Sequence, residues 1–230
     1  MSIAPVGIVN AGDPRQAYQD GFNIASVNQD GFNRDAAAAV AAGVAEALSP
    51  DASVESVIEV IENQASDAVF RAVDRARGLA EESETIDEFV EQFYDELLDW
   101  RWPAVEWDRE LYEEGRVFSA DSAEILPAAV GVLELCEGDV DRSIVEAASF
   151  GRDCDTIAAV VGNLTGALRG AGSLRDDWVE VCESANAEFF EEVHGHDGVD
   201  FETVSEWLVE ALENERRRAG KREETLDEML

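Results

Sequence analysis

Apolar residues in this chain recur at three- and four-residue spacings, and no segment shows the strict alternation of a half-buried strand. Asp13-Pro14 supplies an N-cap followed by proline at the first helical position, so a helix is predicted to about Ala25. An alanine-rich helix follows from Asp35 to Leu48, ended by Ser49-Pro50. Ser53 can cap the next helix, whose Val54, Val57, Ile58 and Ile61 share a face. Asp67 to Leu79 continues as helix, and Thr85 with Glu88 reads as a capping box before Phe89, Phe93, Leu97 and Trp100. The least regular stretch, Pro103 to Ser119, carries Trp107, Tyr112 and Phe118, which either line a pocket or staple a long connection to the core. Helix returns from Ser122 to Leu135, with Pro127 near its start or at a kink. Another helix opens at Asp139 or Asp141 and closes beside Gly151. The pattern totals about eight to ten helices, an all-α bundle.

Beyond Ile157 comes a further helix in which Gly162, Gly166 and Gly170 recur every four residues. Glycine costs helix stability, so this spacing predicts close backbone packing and a buried central helix. Asp176 to Val193 reads as amphipathic, with Trp178, Val181, Phe189 and Phe190 near one stripe. His194-Gly195-His196-Asp197-Gly198 is a turn, exposed by its glycines or metal-binding by its histidines. Phe201 to Leu212 is expected to be the last core helix, which sets the helical domain at 1–212. The charged tail at 213–230 frays or extends as solvated helix.

Composition changes the picture chiefly through charge. The 230 residues are 46% hydrophobic, enough for one substantial core, yet Asp and Glu number 52 against 17 Lys and Arg, a net charge of −35. That field repels nucleic acid and anionic membranes. A carboxylate-covered, lysine-poor surface around an ordinary core fits a halophilic host, where salt screens self-repulsion. No apolar run reaches membrane-spanning length, and Met1 precedes no signal-like segment, so a cytoplasmic location is expected. Cys136, Cys154 and Cys182 have no metal-like spacing and suggest no disulfide framework. There is no dinucleotide fingerprint, phosphate-binding loop or serine-hydrolase arrangement.

The stretch with chemistry is Gly151-Arg152-Asp153-Cys154-Asp155-Thr156. Carboxylates two residues apart cannot share a face of a regular helix, but on a turn feeding one, Asp153, Asp155 and the Thr156 hydroxyl can converge. Three hard oxygen donors suit magnesium or manganese better than zinc. Read from spacing alone, Asp155 can equally be an N-cap and Asp153 a turn residue. An unrelated helical protein whose acidic surface meets a basic partner would leave the motif unexplained.

Gly151 to Ala159, the following Val161-Gly162-Asn163-Leu164-Thr165-Gly166-Ala167 and then Gly170 resemble the ADP-ribosylglycohydrolase family (the dinitrogenase-reductase-activating glycohydrolase type). Glu124-Ile125-Leu126-Pro127-Ala128-Ala129 and Ile3-Ala4-Pro5-Val6-Gly7 also look like family segments. The resemblance implies an all-α fold with a two-metal magnesium or manganese centre. It also implies hydrolysis at the anomeric ribose carbon of ADP-ribose adducts, with ADP-ribose or an ADP-ribosylated substrate as partner. Asp153, Asp155 and Thr156 match the metal ligands of the family's C-terminal motif, and Gly151 matches its turn glycine. Arg152 and Cys154 sit at variable positions, and no catalytic residue is assigned. The family's upstream Thr/Ser-Asp-Asp motif and further catalytic acid have no counterpart here, since the only Asp-Asp pair, Asp176-Asp177, follows the motif. The expectation is therefore a chain that begins inside the family's domain and holds part of a metal site. A separately encoded N-terminal half or a homo-oligomer would complete it. The alternative is an inactive member serving as a binding or structural subunit.

Overall fold

The computed structural model describes residues 2–98, 122–194 and 199–229. In chain order its α-helices are α1 (Ala4–Val9), α2 (Pro14–Ala25), α3 (Gly31–Ala47), α4 (Val54–Gln64), α5 (Asp67–Glu82), α6 (Ile86–Leu98), α7 (Ser122–Leu135), α8 (Val140–Ser149), α9 (Cys154–Arg169), α10 (Asp176–His194) and α11 (Phe201–Met229). A 3-10 turn at Ala171–Ser173 follows α9. No strand occurs among the described residues, so the all-α reading holds. Trp100, the aromatic stretch 103–119 and the glycine-histidine turn at 195–198 lie outside them.

Local capping chemistry places the helix starts. Asp13 accepts a hydrogen bond from the Gln16 amide ahead of α2, and Ser53 forms a reciprocal box with Ser56 at α4. Asp139, not Asp141, caps α8, its carboxylate accepting from Arg142 N at 2.8 Å. At α6 the Thr85 hydroxyl accepts from Glu88 N at 3.2 Å, while the Glu88 carboxylate reaches Glu84 N, one residue before the box position. Pro127 lies inside α7, which continues through it.

Two helices form the centre. On α3 nearly every residue from Asp35 to Ala47 is buried, and on α7 every residue from Ala123 to Leu133 is. Alanine and glycine give α3 a thin profile that neighbouring backbones approach closely. A Cβ on Gly7 of α1 would stand 2.5 Å from the Ala41 carbonyl oxygen, and one on Gly43 would stand 2.9 Å from Ile61 of α4. Phe89, Phe93 and Leu97 of α6 fill the core, and Gly131 of α7 makes room for the Phe89 ring, which its Cβ would meet at 2.1 Å.

Three expectations are overturned. The centre is not α9, which buries one face through Ile157, Val160, Val161, Leu164 and Thr165. Its glycines are not close-approach points: a Cβ on Gly166 or Gly170 meets nothing within 4 Å, and one on Gly162 makes only ordinary contact with Ile144. Four-residue spacing puts glycines on one helix face, but nothing in spacing says which face is covered. Lastly, Phe201 to Leu212 is not a core helix, because α11 runs unbroken from Phe201 to Met229 with no buried residue. Val181 and Phe189 of α10 are likewise exposed. Among the described residues no helix is long and apolar enough to cross a membrane.

Candidate functional site

The turn between α8 and α9 is anchored before it starts. Phe150, the residue that closes α8, is buried with its ring 5.5 to 5.8 Å from those of Phe89, Phe93 and Tyr94. The chain then reverses through two left-handed residues, Gly151 at φ +97° and Arg152 at φ +52°. Glycine adopts that region freely, whereas a side-chain-bearing residue there is uncommon. Asp153 follows as the N-cap position and Cys154 as the first helical residue of α9.

Asp153 lies in the turn, as its spacing allows, but the reading of Asp155 as the N-cap does not hold. Asp155 is not the N-cap but lies in the first turn, and the Asp153 side chain makes no capping bond to a backbone amide. Its Oδ1 instead accepts from Thr156 Oγ1 at 3.0 Å. Burial, followed by a hydrogen bond to Asp155 and the nearness of its charge, pushes the Asp153 carboxyl above the usual carboxylate range, while the Thr156 hydroxyl works against that rise. The three predicted side chains therefore meet on one turn. Gly151 provides the reversal, as expected of the turn glycine.

Beneath the turn lies a network that the sequence reading did not assign. Glu124 of α7 has a fully buried side chain, and its Oε1 accepts from Arg152 Nε at 2.7 Å and from Tyr94 Oη at 2.8 Å. The Arg152 guanidinium also stands 5.9 Å from the Tyr94 ring centre. The sequence does carry the signal: Glu124 is the single acid in the run Ala123 to Leu133, and a lone buried carboxylate requires a partner.

The donor set can be tested against a divalent ion. Two neighbouring carboxylates, one of them bonded to a hydroxyl, are hard oxygen donors of the kind magnesium and manganese take. With one oxygen from each side chain they supply three ligands, fewer than a hard cation's usual shell of about six. Among the described residues no group of three or more His, Cys, Asp or Glu residues is placed to hold a metal. The set fits part of such a shell. Cys136, Cys154 and Cys182 are all free thiols. A groove of about 780 Å³ between Val9–Gln16 and Leu212–Leu226 contains none of the motif residues.

Comparison with known proteins agrees with the motif. No curated protein and no solved structure matches the chain. The family model described as ADP-ribosylglycohydrolase matches residues 1–218. With that match spanning nearly the whole chain, and with an all-α architecture presenting the Asp153-Cys154-Asp155-Thr156 turn at the head of α9, the chain belongs to the ADP-ribosylglycohydrolase family.

Proposed function

We propose that this chain is the metal-binding part of a hydrolase that cleaves the glycosidic bond at the anomeric ribose carbon of ADP-ribose adducts. Family membership supports a glycohydrolase function in general, and the family is generally metal-dependent. The observation that carries the finer reading is the meeting of Asp153, Asp155 and Thr156 on one turn, with Asp153 facing Asp155 rather than a backbone amide. A carboxylate held beside a like charge is stabilised by a cation placed against both. Asp153 and Asp155 would hold magnesium or manganese, and the Thr156 hydroxyl would fix the Asp153 rotamer and offer a third oxygen. When bound, such an ion supplies Lewis-acid polarisation and activation of water. Gly151 allows the reversal that brings the donors together. Because three donors leave the shell short, the remaining ligands are proposed to come from a second chain, an N-terminal half encoded separately or another copy of this one.

The second reading is a family member that binds without hydrolysing. The short donor set, three side chains on one turn, is the observation that favours it for the isolated chain. Both readings are separated by measuring ADP-ribose release from ADP-ribosylated protein with magnesium or manganese, using the chain alone and mixed with a family N-terminal half, at high salt. Turnover only in the mixture, abolished by Asp153→Asn, supports the hydrolase. Metal binding without turnover in any mixture supports the binding subunit.

A further inference from the structure

We infer that Arg152 is a positioning residue for this site, acting through its ion pair with Glu124 to hold the turn that carries Asp153, Asp155 and Thr156. The inference deepens the functional reading above and rests on it for its bearing on metal binding. Three observations carry it. First, the backbone at Arg152 is left-handed although the residue is not glycine, so its conformation must be sustained by contacts of its side chain. Second, that side chain meets a carboxylate with no exposed surface, Nε to Oε1 at 2.7 Å, in the first turn of an apolar helix. A buried carboxylate is strongly disfavoured without its partner, so Glu124 holds Arg152 as firmly as Arg152 holds the turn. Third, Tyr94 fixes the same oxygen from α6 at 2.8 Å, and its ring packs with Phe150 on the other side of Gly151. The turn is thus pinned at Phe150 and at Arg152, with only Gly151 between the pins.

The consequence falls on Asp153. Its carbonyl accepts the amides of Thr156 and Ile157, each at 3.1 Å, and those bonds start α9. Pinning Arg152 therefore sets where the first turn of α9 begins and which way the Asp153 carboxylate faces.

The test compares wild type with Arg152→Gln, Glu124→Gln, the double variant and Tyr94→Phe, each checked for an intact helical fold by circular dichroism. Hydrogen exchange at the Thr156 and Ile157 amides reads the turn without any metal. Each ion-pair variant is expected to speed exchange there by about tenfold, with the double variant no faster than the singles, since residues acting as one unit are not additive. Exchange deeper in α9, at Leu164 and Thr165, stays unchanged. Tyr94→Phe, which leaves the ion pair, gives a smaller increase. Manganese binding followed by electron paramagnetic resonance should weaken in each ion-pair variant, with the double variant binding no more weakly than the singles. Unchanged Thr156 and Ile157 exchange in both single variants, or additive effects in the double, overturns the inference. Wild-type manganese binding that survives Asp153→Asn overturns the site reading instead, and leaves the exchange result standing on its own.

Discussion

Arg77 on α5 illustrates how single residues behave in so acidic a protein. Its guanidinium faces Glu55 at 2.6 Å, Glu81 at 3.5 Å, Glu134 at 3.6 Å and Glu62 at 3.7 Å, so one cation ties together α4, α5 and α7. One positive charge cannot satisfy four carboxylates. Burial pushes Glu62 and Glu134 above the usual carboxylate range, and the attraction of Arg77 only partly offsets it. A carboxyl raised in the folded state contributes stability that is fully present below its unfolded pKa and is lost as pH rises through the folded one. Glu134→Gln, which cannot ionise, is therefore expected to match wild type near pH 4 and to be more stable at pH 7, by less than about 1 kcal/mol. Urea unfolding at the two pH values checks this, and a variant less stable at pH 7 would show that Arg77's attraction outweighs burial. At this scale the sequence revealed the residue types but not the pairing. Glu124 with Arg152, 28 positions apart, and Arg77 with Glu55, Glu62 and Glu134 become partners only when helices pack, whereas Glu81 lies one turn from Arg77 on α5 itself.

At the scale of the element, the glycines separate what spacing implies from what packing uses. Gly166 sits in the interior of α9 with open space where a side chain would point. Gly166→Ala should stabilise the protein by about 1 kcal/mol, the difference between glycine and alanine in a helix. Gly131 also sits in a helix, yet its Cβ would fall 2.1 Å from the Phe89 ring. Gly131→Ala should therefore cost about 1–3 kcal/mol or more, because overpacking a buried aromatic outweighs any gain in propensity. Paired thermal melts give the two signs directly, and equal signs would contradict the packing described. Helix starts were readable because a cap is a local event: Asp13, Ser53, Thr85 and Asp139 act within three residues of themselves. Helix burial was not, because α9 and α11 carry apolar residues whose coverage depends on elements far along the chain.

For the whole molecule, the excess of 52 acids over 17 bases sets a long-range repulsion that the compact state concentrates. Raising KCl from about 0.1 M to about 1 M shortens the Debye length from about 10 Å to about 3 Å. The unfolding midpoint is expected to rise across that range, as measured by fluorescence or circular dichroism, and a flat or falling midpoint would show that local ion pairs dominate instead. Arg77, Glu62 and Glu134, being less exposed, should contribute less to that dependence than the surface acids. The all-α class and the helix-capping residues follow from the sequence alone, since both arise from periodicity and chemistry within a few residues. So does the candidate turn, because Gly151, Asp153, Asp155 and Thr156 are adjacent and their convergence needs only a reversal before a helix. Which helices became central was decided by tertiary structure: α3 and α7 offer small or apolar residues on all sides, whereas α9 offers one apolar face. The left-handed backbone at Arg152 and its strut to Glu124 were decided there too. An ion pair across 28 residues exists only once α7 and the turn before α9 are brought together, and burial then makes that pairing strong enough to hold the turn.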